Sequence, residues 1–240
     1  MKVNLLAIDA STEACSVAIL KDDQVLSDFE LCPQSHSVVL LPMVDKLLAK
    51  AGARLTDFDA LVYGRGPGSF TGVRIGIGVA QGLAFAADLP TIGISTMQAM
   101  AQQAYEQEGK DTVSVAIDAR MAEVYCSNWQ VNEQGLMALV GEERVLPPEQ
   151  FAQSLDQSLE QSPKKGQQHY GAGTGWQAYQ EAFQPICANL EKISVMYPNA
   201  QFMLALAKQE FLAGKALPAE QAQPVYVRDT VSWKKLPGRE

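Results

Sequence analysis

A glycine-rich turn leading into a glycine-bearing helix, between Leu61 and Met97, constrains this chain more than any other stretch. Leu61 to Tyr63 is a short apolar run that predicts a buried strand. Gly64, Gly66, Pro67 and Gly68 then make a turn that relies on glycine's freedom at positive φ. Ser69 or Thr71 can cap the following helix, expected over about Thr71 to Ala87. That helix carries Gly72, Gly76, Gly78 and Gly82. Each costs about 1 kcal/mol in a helix interior, so the set implies that another backbone passes very close. Asp88-Leu89-Pro90 ends the helix, and Thr91 to Ser95 reads as the next strand.

The turn does not match either common phosphate-binding loop. Gly68 is followed by Ser69, without the lysine of a Walker loop. Gly66-Pro67-Gly68 meets Thr71, and Gly76-Ile77-Gly78 meets Gln81, where a dinucleotide fingerprint needs its third glycine. A bare helix N-terminus can hold an anion, but a tight strand-to-helix connection is the simpler reading.

The chain has 240 residues, 47% hydrophobic and 19% charged, with a formal net charge of -8. This is the composition of a globular protein of one large or two small domains. The acidic balance argues against a chain that grips nucleic acid alone. Cys15, Cys32, Cys126 and Cys187 lie far apart without a CxxC pair, as expected of reduced thiols rather than a disulfide or zinc framework. The N-terminal run is too short and polar for a signal peptide, and no apolar run of about 18 residues is evident. A cytoplasmic protein without membrane contact is expected.

Val3 to Ile8 predicts a buried strand, Ala14 to Leu20 a second, and Val25 to Leu31 a third. Ser35 and Ser37 are candidate caps for a helix over Val38 to Lys50, stopped by Ala51-Gly52. Another helix, near Met97 to Gln107, leads to a polar break at Glu108 to Asp111. There the opening pattern returns: Ala7-Ile8-Asp9-Ala10 recurs as Ala116-Ile117-Asp118-Ala119, each copy between an apolar run and a second strand. The repeat predicts a structural duplication, with an N-terminal lobe over 1–109 and a C-terminal lobe over 110–240. Beyond it, a helix from Pro148 to about Leu159, a solvated loop at Ser162 to Gln168, a strand running into the glycines of 171–175 and a helix from Ala200 to Ala213 are expected. Pro218 to Glu240 reads as a solvated tail, locally basic at Arg228, Lys234, Lys235 and Arg239.

Duplicated strand pairs, each with an aspartate in the turn, followed by strand-to-helix glycine turns, are the plan of the α/β, two-lobed actin, sugar-kinase and heat-shock-ATPase (ASKHA) fold. In that plan the two turns hold ATP phosphates between the lobes and the aspartates hold magnesium. Here Ala10-Ser11-Thr12 and Ala119-Arg120-Met121 follow the aspartates, with no glycine to admit a phosphate. Asp9 and Asp118 are therefore read as turn-capping carboxylates. Asp9, Ser11, Asp118 and Gly173 are kept as candidate vestiges of nucleotide or phosphate turns, with at most weak ATP or ADP binding and no other cofactor.

AIDASTEACSVAIL, HSVVLLPMVDKLL, GRGPGSFTGVRIGIGVAQGLAFAADLPTIGIST and AIDARMAEVY together resemble the TsaB (YeaZ) family. That family assists in making threonylcarbamoyladenosine beside the tRNA anticodon. The resemblance implies a non-catalytic subunit that pairs with the related catalytic subunit TsaD and recruits the small ATPase TsaE, with tRNA met only indirectly. In TsaD the strand after the glycine helix leads into a histidine segment that binds a metal. The two ligand positions here are Thr96 and Met100, which do not replace imidazole for a hard or borderline metal, so no metal is expected. His36 is read as structural or interfacial. The partner face is expected on Val38, Leu41, Met43, Leu48, Gly72, Gly76 and Gly82, with a homodimer through the same helices when the chain is alone. Arg65 and Arg74 flank the central turn as candidates for a phosphate, a partner carboxylate or surface ion pairs. The alternatives are an ATP-dependent phosphotransferase or ATPase, and a peptidase. For the latter, Ser11, Ser69 and Thr71 lack a histidine nearby in sequence to act as base.

Overall fold

A computed structural model describes residues 2–161, 169–186 and 190–228. The first lobe runs β1 (Leu5–Asp9), β2 (Ala14–Lys21), β3 (Gln24–Leu31), α1 (His36–Ala51), β4 (Ala60–Gly64), α2 (Phe70–Ala87), β5 (Thr91–Ile94) and α3 (Thr96–Glu108). The second runs β6 (Thr112–Arg120), β7 (Glu123–Val131), β8 (Met137–Leu146), α4 (Pro148–Gln161), β9 (His169–Ala172), α5 (Gly175–Ala178), α6 (Gln180–Phe183), β10 (Leu190–Lys192) and α7 (Met203–Leu212). The sheets have orders β3-β2-β1-β4-β5 and β10-β9-β6-β7-β8, the same sequence of strands when read from opposite ends. In each, two antiparallel pairings lead into two parallel ones. The repeated Ala-Ile-Asp segments occupy matching places at the ends of β1 and β6. This is a duplicated, two-lobed ASKHA-type α/β fold.

Hydrophobic patterning explains the layers. β1 is buried along its whole length, as a central strand must be. One face of the first sheet (Leu6, Ile8, Val17, Ile19) packs on Leu40, Val44 and Leu47 of α1 and on Val73, Ile77, Ala80 and Ala84 of α2. Its other face (Leu5, Ala7, Val62) is covered by Met203, Leu204 and Ala207 of α7, a helix from the far end of the chain. Conversely, Met97, Met100 and Ala104 of α3 pack on Val113, Val115 and Trp129 of the second sheet. Each lobe therefore borrows a covering helix from sequence on the other side of the break at Gly109. The remaining face of the second sheet meets Phe151, Leu155, Trp176 and Phe183, with the Trp176 and Phe183 rings 4.4 Å apart.

Ser69 caps α2 by accepting from the Gly72 N–H at 3.3 Å, and Asp88 ends the helix in the left-handed conformation. Gly52 and Gly109 end α1 and α3 in the same way. Ser35 stands at the N-cap of α1 but its side chain makes no capping bond, and Ser37 lies inside the helix. The long β8 and the short β10 were not legible in the sequence.

Two expectations are corrected. The helix α2, with mean hydropathy 1.3, is apolar and long enough to cross a membrane by composition alone, although one stripe of it covers the sheet. The segment after Pro218 is anchored to the rest of the chain as far as Arg228, although several of its side chains are exposed. Ala219 and Ala222 are buried, the Gln223 N–H donates to the Tyr63 hydroxyl, and the Val225 N–H to the Arg65 carbonyl at 2.9 Å. Lys234, Lys235, Arg239, Cys187 and the expected loop at Ser162 to Gln168 lie outside the described residues.

Candidate functional site

The residues singled out in α1 and α2 divide between two faces. At 100° per residue, Gly72 and Gly76 fall together on one side of α2, and Gly78 and Gly82 about 120° away. A Cβ on Gly72 would stand 2.2 Å from the Ala10 carbonyl oxygen, and one on Gly76 would be 3.6 Å from Ala10. The close backbone approach implied by the glycines is thus, at Gly72, an approach to the chain's own β1–β2 turn. A Cβ on Gly78 or Gly82 would have nothing within 4 Å. In α1, Met43 is buried and Leu48 packs against the same core, whereas Val38 and Leu41 are 69% and 47% exposed. Met43, Gly72 and Gly76 are therefore corrected to positions buried within the chain, while Leu48 is half-buried against the same core. Val38, Leu41 and Gly82 remain on the outside.

The outer face has members that periodicity did not single out. Phe85 is 82% exposed near the end of α2, and Phe70 61% exposed at its start. Val38 and Leu41 of α1 are exposed as well. At the start of α2, Pro67, Phe70, Val73, Arg74, Tyr125 and Tyr226 line a cavity of about 680 Å³. There the Arg74 guanidinium stacks 3.4 Å from the Phe70 ring centroid and 5.5 Å from that of Tyr226. Stacking of this kind holds a cation without a carboxylate.

In the candidate nucleotide turns the aspartates bond to neighbouring groups of the chain. Asp9 Oδ1 accepts from the Ser11 N–H at 3.1 Å and from its hydroxyl at 3.0 Å; Ser11 in turn accepts from Thr96 at 3.0 Å. Among the described residues Asp9 Oδ2 is buried without a partner, and burial raises this carboxyl to about 6. Asp118 accepts from the Arg120 N–H and the Tyr179 hydroxyl, each at 2.9 Å, and pairs with the Arg120 guanidinium. Arg120 also reaches Glu13 of the first turn at 3.3 Å, so the two equivalent turns are tied to each other. Gly173 takes φ +105°, and a Cβ there would meet the Ala116 carbonyl oxygen at 2.2 Å. Glycine is thus required where this loop passes over β6. Both aspartates act as turn carboxylates.

Thr96 and Met100 are fully buried, Met100 among the apolar side chains of the second lobe. Arg65 pairs with Glu143 of β8 at 3.2 Å, and Glu143 also accepts from the Ser95 hydroxyl. Of the proposed nucleophiles, Ser11 is held by Asp9 and Ser69 caps α2. His36 opens α1 with its Nε2–H donating to the Thr12 carbonyl at 2.6 Å.

Residues 29–235 match the family model described as TsaD: tRNA N6-adenosine threonylcarbamoyltransferase. The chain is 48% identical over 238 residues to the tRNA threonylcarbamoyladenosine biosynthesis protein TsaB of Escherichia coli, spanning 99% of this chain and all of that protein. It is 44% identical over 247 residues to the protein of the same name from Haemophilus influenzae, spanning 99% of each. Among solved structures, YeaZ from Pseudomonas aeruginosa is similar with a TM-score of 0.83 at 45% identity, covering 93% of this chain and 99% of that one. A second structure, described as an uncharacterized protein with similarity to peptidase YEAZ from the same organism, gives 0.83 at 44% identity, covering 94% and 100%.

Proposed function

The chain belongs to the TsaB (YeaZ) family, and from that membership we propose that it serves tRNA threonylcarbamoyladenosine synthesis as a non-catalytic subunit. It pairs with a TsaD-like catalytic subunit through the outer face of α1 and α2, and the pair recruits a TsaE-like ATPase. Alone, the chain uses the same face to form a homodimer. One observation carries this reading: α2 has the composition of a fully buried helix, yet only 33% of it is buried within the chain. Exposed aromatic and aliphatic side chains beside open glycines favour close helix packing by a partner.

The chemistry of the other sites supports a scaffold rather than a catalyst. The positions equivalent to the metal ligands of TsaD hold a hydrogen-bonded threonine and a core methionine. The turns that would hold ATP have their carboxylates bonded to Ser11, Arg120 and Tyr179. Reconstitution of tRNA modification with purified TsaD-like and TsaE-like proteins tests the reading. Activity is expected only when this chain is added, and the chain alone is expected to show at most weak ATP binding and no turnover. ATP hydrolysis by the chain alone, or full modification without it, overturns the proposal.

A further inference from the structure

We propose that Cys15, Cys32 and His36 form a three-ligand zinc site that clips the β2–β3 hairpin to the start of α1. One donor atom from each of the three residues lies within 4.8 Å of the other two, and all three residues are buried. Zinc–sulfur and zinc–nitrogen bonds of about 2.3 and 2.0 Å place tetrahedral donors roughly 3.3–3.8 Å apart. Closing the cluster onto an ion thus needs the donor atoms to approach one another by about 1 Å.

The backbone is already set for it. Cys15 is fixed within β2, where it pairs with Glu30 of β3. The Cys32 N–H donates to the Glu13 carbonyl, and the Ser35 N–H to the Cys32 carbonyl, each at 3.0 Å. Those bonds fold Cys32-Pro33-Gln34-Ser35-His36 into a short chelate loop, with Gln34 at φ +65°. The hydrogen bond from His36 Nε2 to the Thr12 carbonyl keeps the ring proton on that nitrogen. Nδ1 is left with its lone pair, and metal-binding imidazoles use this same outer-shell arrangement to fix their tautomer.

The donor set selects the ion. Two sulfurs and an imidazole suit a soft or borderline cation and exclude magnesium and calcium. Zinc(II) displaces one proton from each thiol, forming two Zn–S bonds and one Zn–N bond, with water as the fourth ligand. Two thiolates balance the 2+ charge, so no net charge enters the low-dielectric interior. The site is separate from the positions of Thr96 and Met100, and it does not depend on the partner reading above.

The test uses the full chain, reduced and dialysed against chelator, titrated with cobalt(II) as an optical probe and then with zinc. One equivalent of cobalt is expected to give thiolate-to-metal charge-transfer absorption that zinc abolishes. At a hundredfold excess over Kd, zinc is expected to raise the unfolding midpoint by about 5–10 °C. Cys15→Ser and Cys32→Ser should each remove most of the absorption, and His36→Gln should weaken binding roughly 10–100-fold. Cys126→Ser and Cys187→Ser should leave the titration unchanged. Absence of the charge-transfer band in the wild-type chain overturns the site whatever the variants do. So does a band that survives Cys15→Ser and Cys32→Ser but falls in Cys126→Ser; the buried thiols are then simply small apolar packing groups.

Discussion

Asp9 is a carboxyl whose place in the fold sets the sign of a pH effect. Burial raises it from 3.8 to about 6, against the lowering effect of its bonds to Ser11. Between those values the folded chain holds a proton that the unfolded chain has lost, so this residue's contribution to stability falls as pH rises through that window. About two units at 1.36 kcal/mol each give roughly 3 kcal/mol. Asp9→Asn keeps an acceptor for Ser11 and carries no charge. The variant should be about 2–3 kcal/mol more stable than wild type at pH 8 and nearly equal to it near pH 4, as read by urea unfolding at both. A gap of the same size at both pH values would refute the assignment. The glycines give a second contrast. Gly72→Ala drives a methyl into the Ala10 carbonyl and should cost about 3 kcal/mol or more, whereas Gly82→Ala, in open space, should gain about 0.5–1 kcal/mol. Thermal unfolding of the two variants should move in opposite directions.

At the scale of the elements, α1 and α2 were legible because their apolar spacing is strong and their stops are explicit at Gly52 and Asp88. Which glycine faces which neighbour was not. Gly72 and Gly82 read alike in sequence, and only the β1–β2 turn, which passes under the N-terminal half of α2, separates them. Phe85 escaped because a large apolar residue in an apolar helix reads as core. The Cys15, Cys32 and His36 cluster escaped because strand pairing brings Cys15 to residues seventeen and twenty-one positions away, and the close pair Cys32 and His36 alone is not a metal motif. The repeat of Ala-Ile-Asp revealed the duplication, but β8 was hidden. Its buried start is followed by a mostly exposed, charged run over Val140 to Arg144, without the alternation that marks a half-buried strand.

At the scale of the whole molecule, the lobes are held by exchange of α3 and α7 and by polar ties across the break. Glu143 is the central tie: its side chain is 9% exposed and joins Arg65 to Ser95. Glu143→Ala leaves a largely buried guanidinium and a hydroxyl without their acceptor, and should lower stability by about 1–3 kcal/mol in denaturant unfolding. A loss below a few tenths of a kcal/mol would make the tie incidental. Such ties, with Arg120 spanning to Glu13, leave the aspartate turns closed and the α1–α2 face open. The proposed function assigns that open face to a partner. The most direct measurement is therefore co-elution and tRNA modification with a TsaD-like partner, comparing the wild-type chain with Leu41→Asp/Phe85→Asp. Both substitutions fall on exposed side chains, so an unchanged circular dichroism spectrum and unfolding midpoint are expected. The account requires that the folded double variant lose both the complex and the modification. A double variant that still pairs and supports modification at the wild-type rate would contradict it.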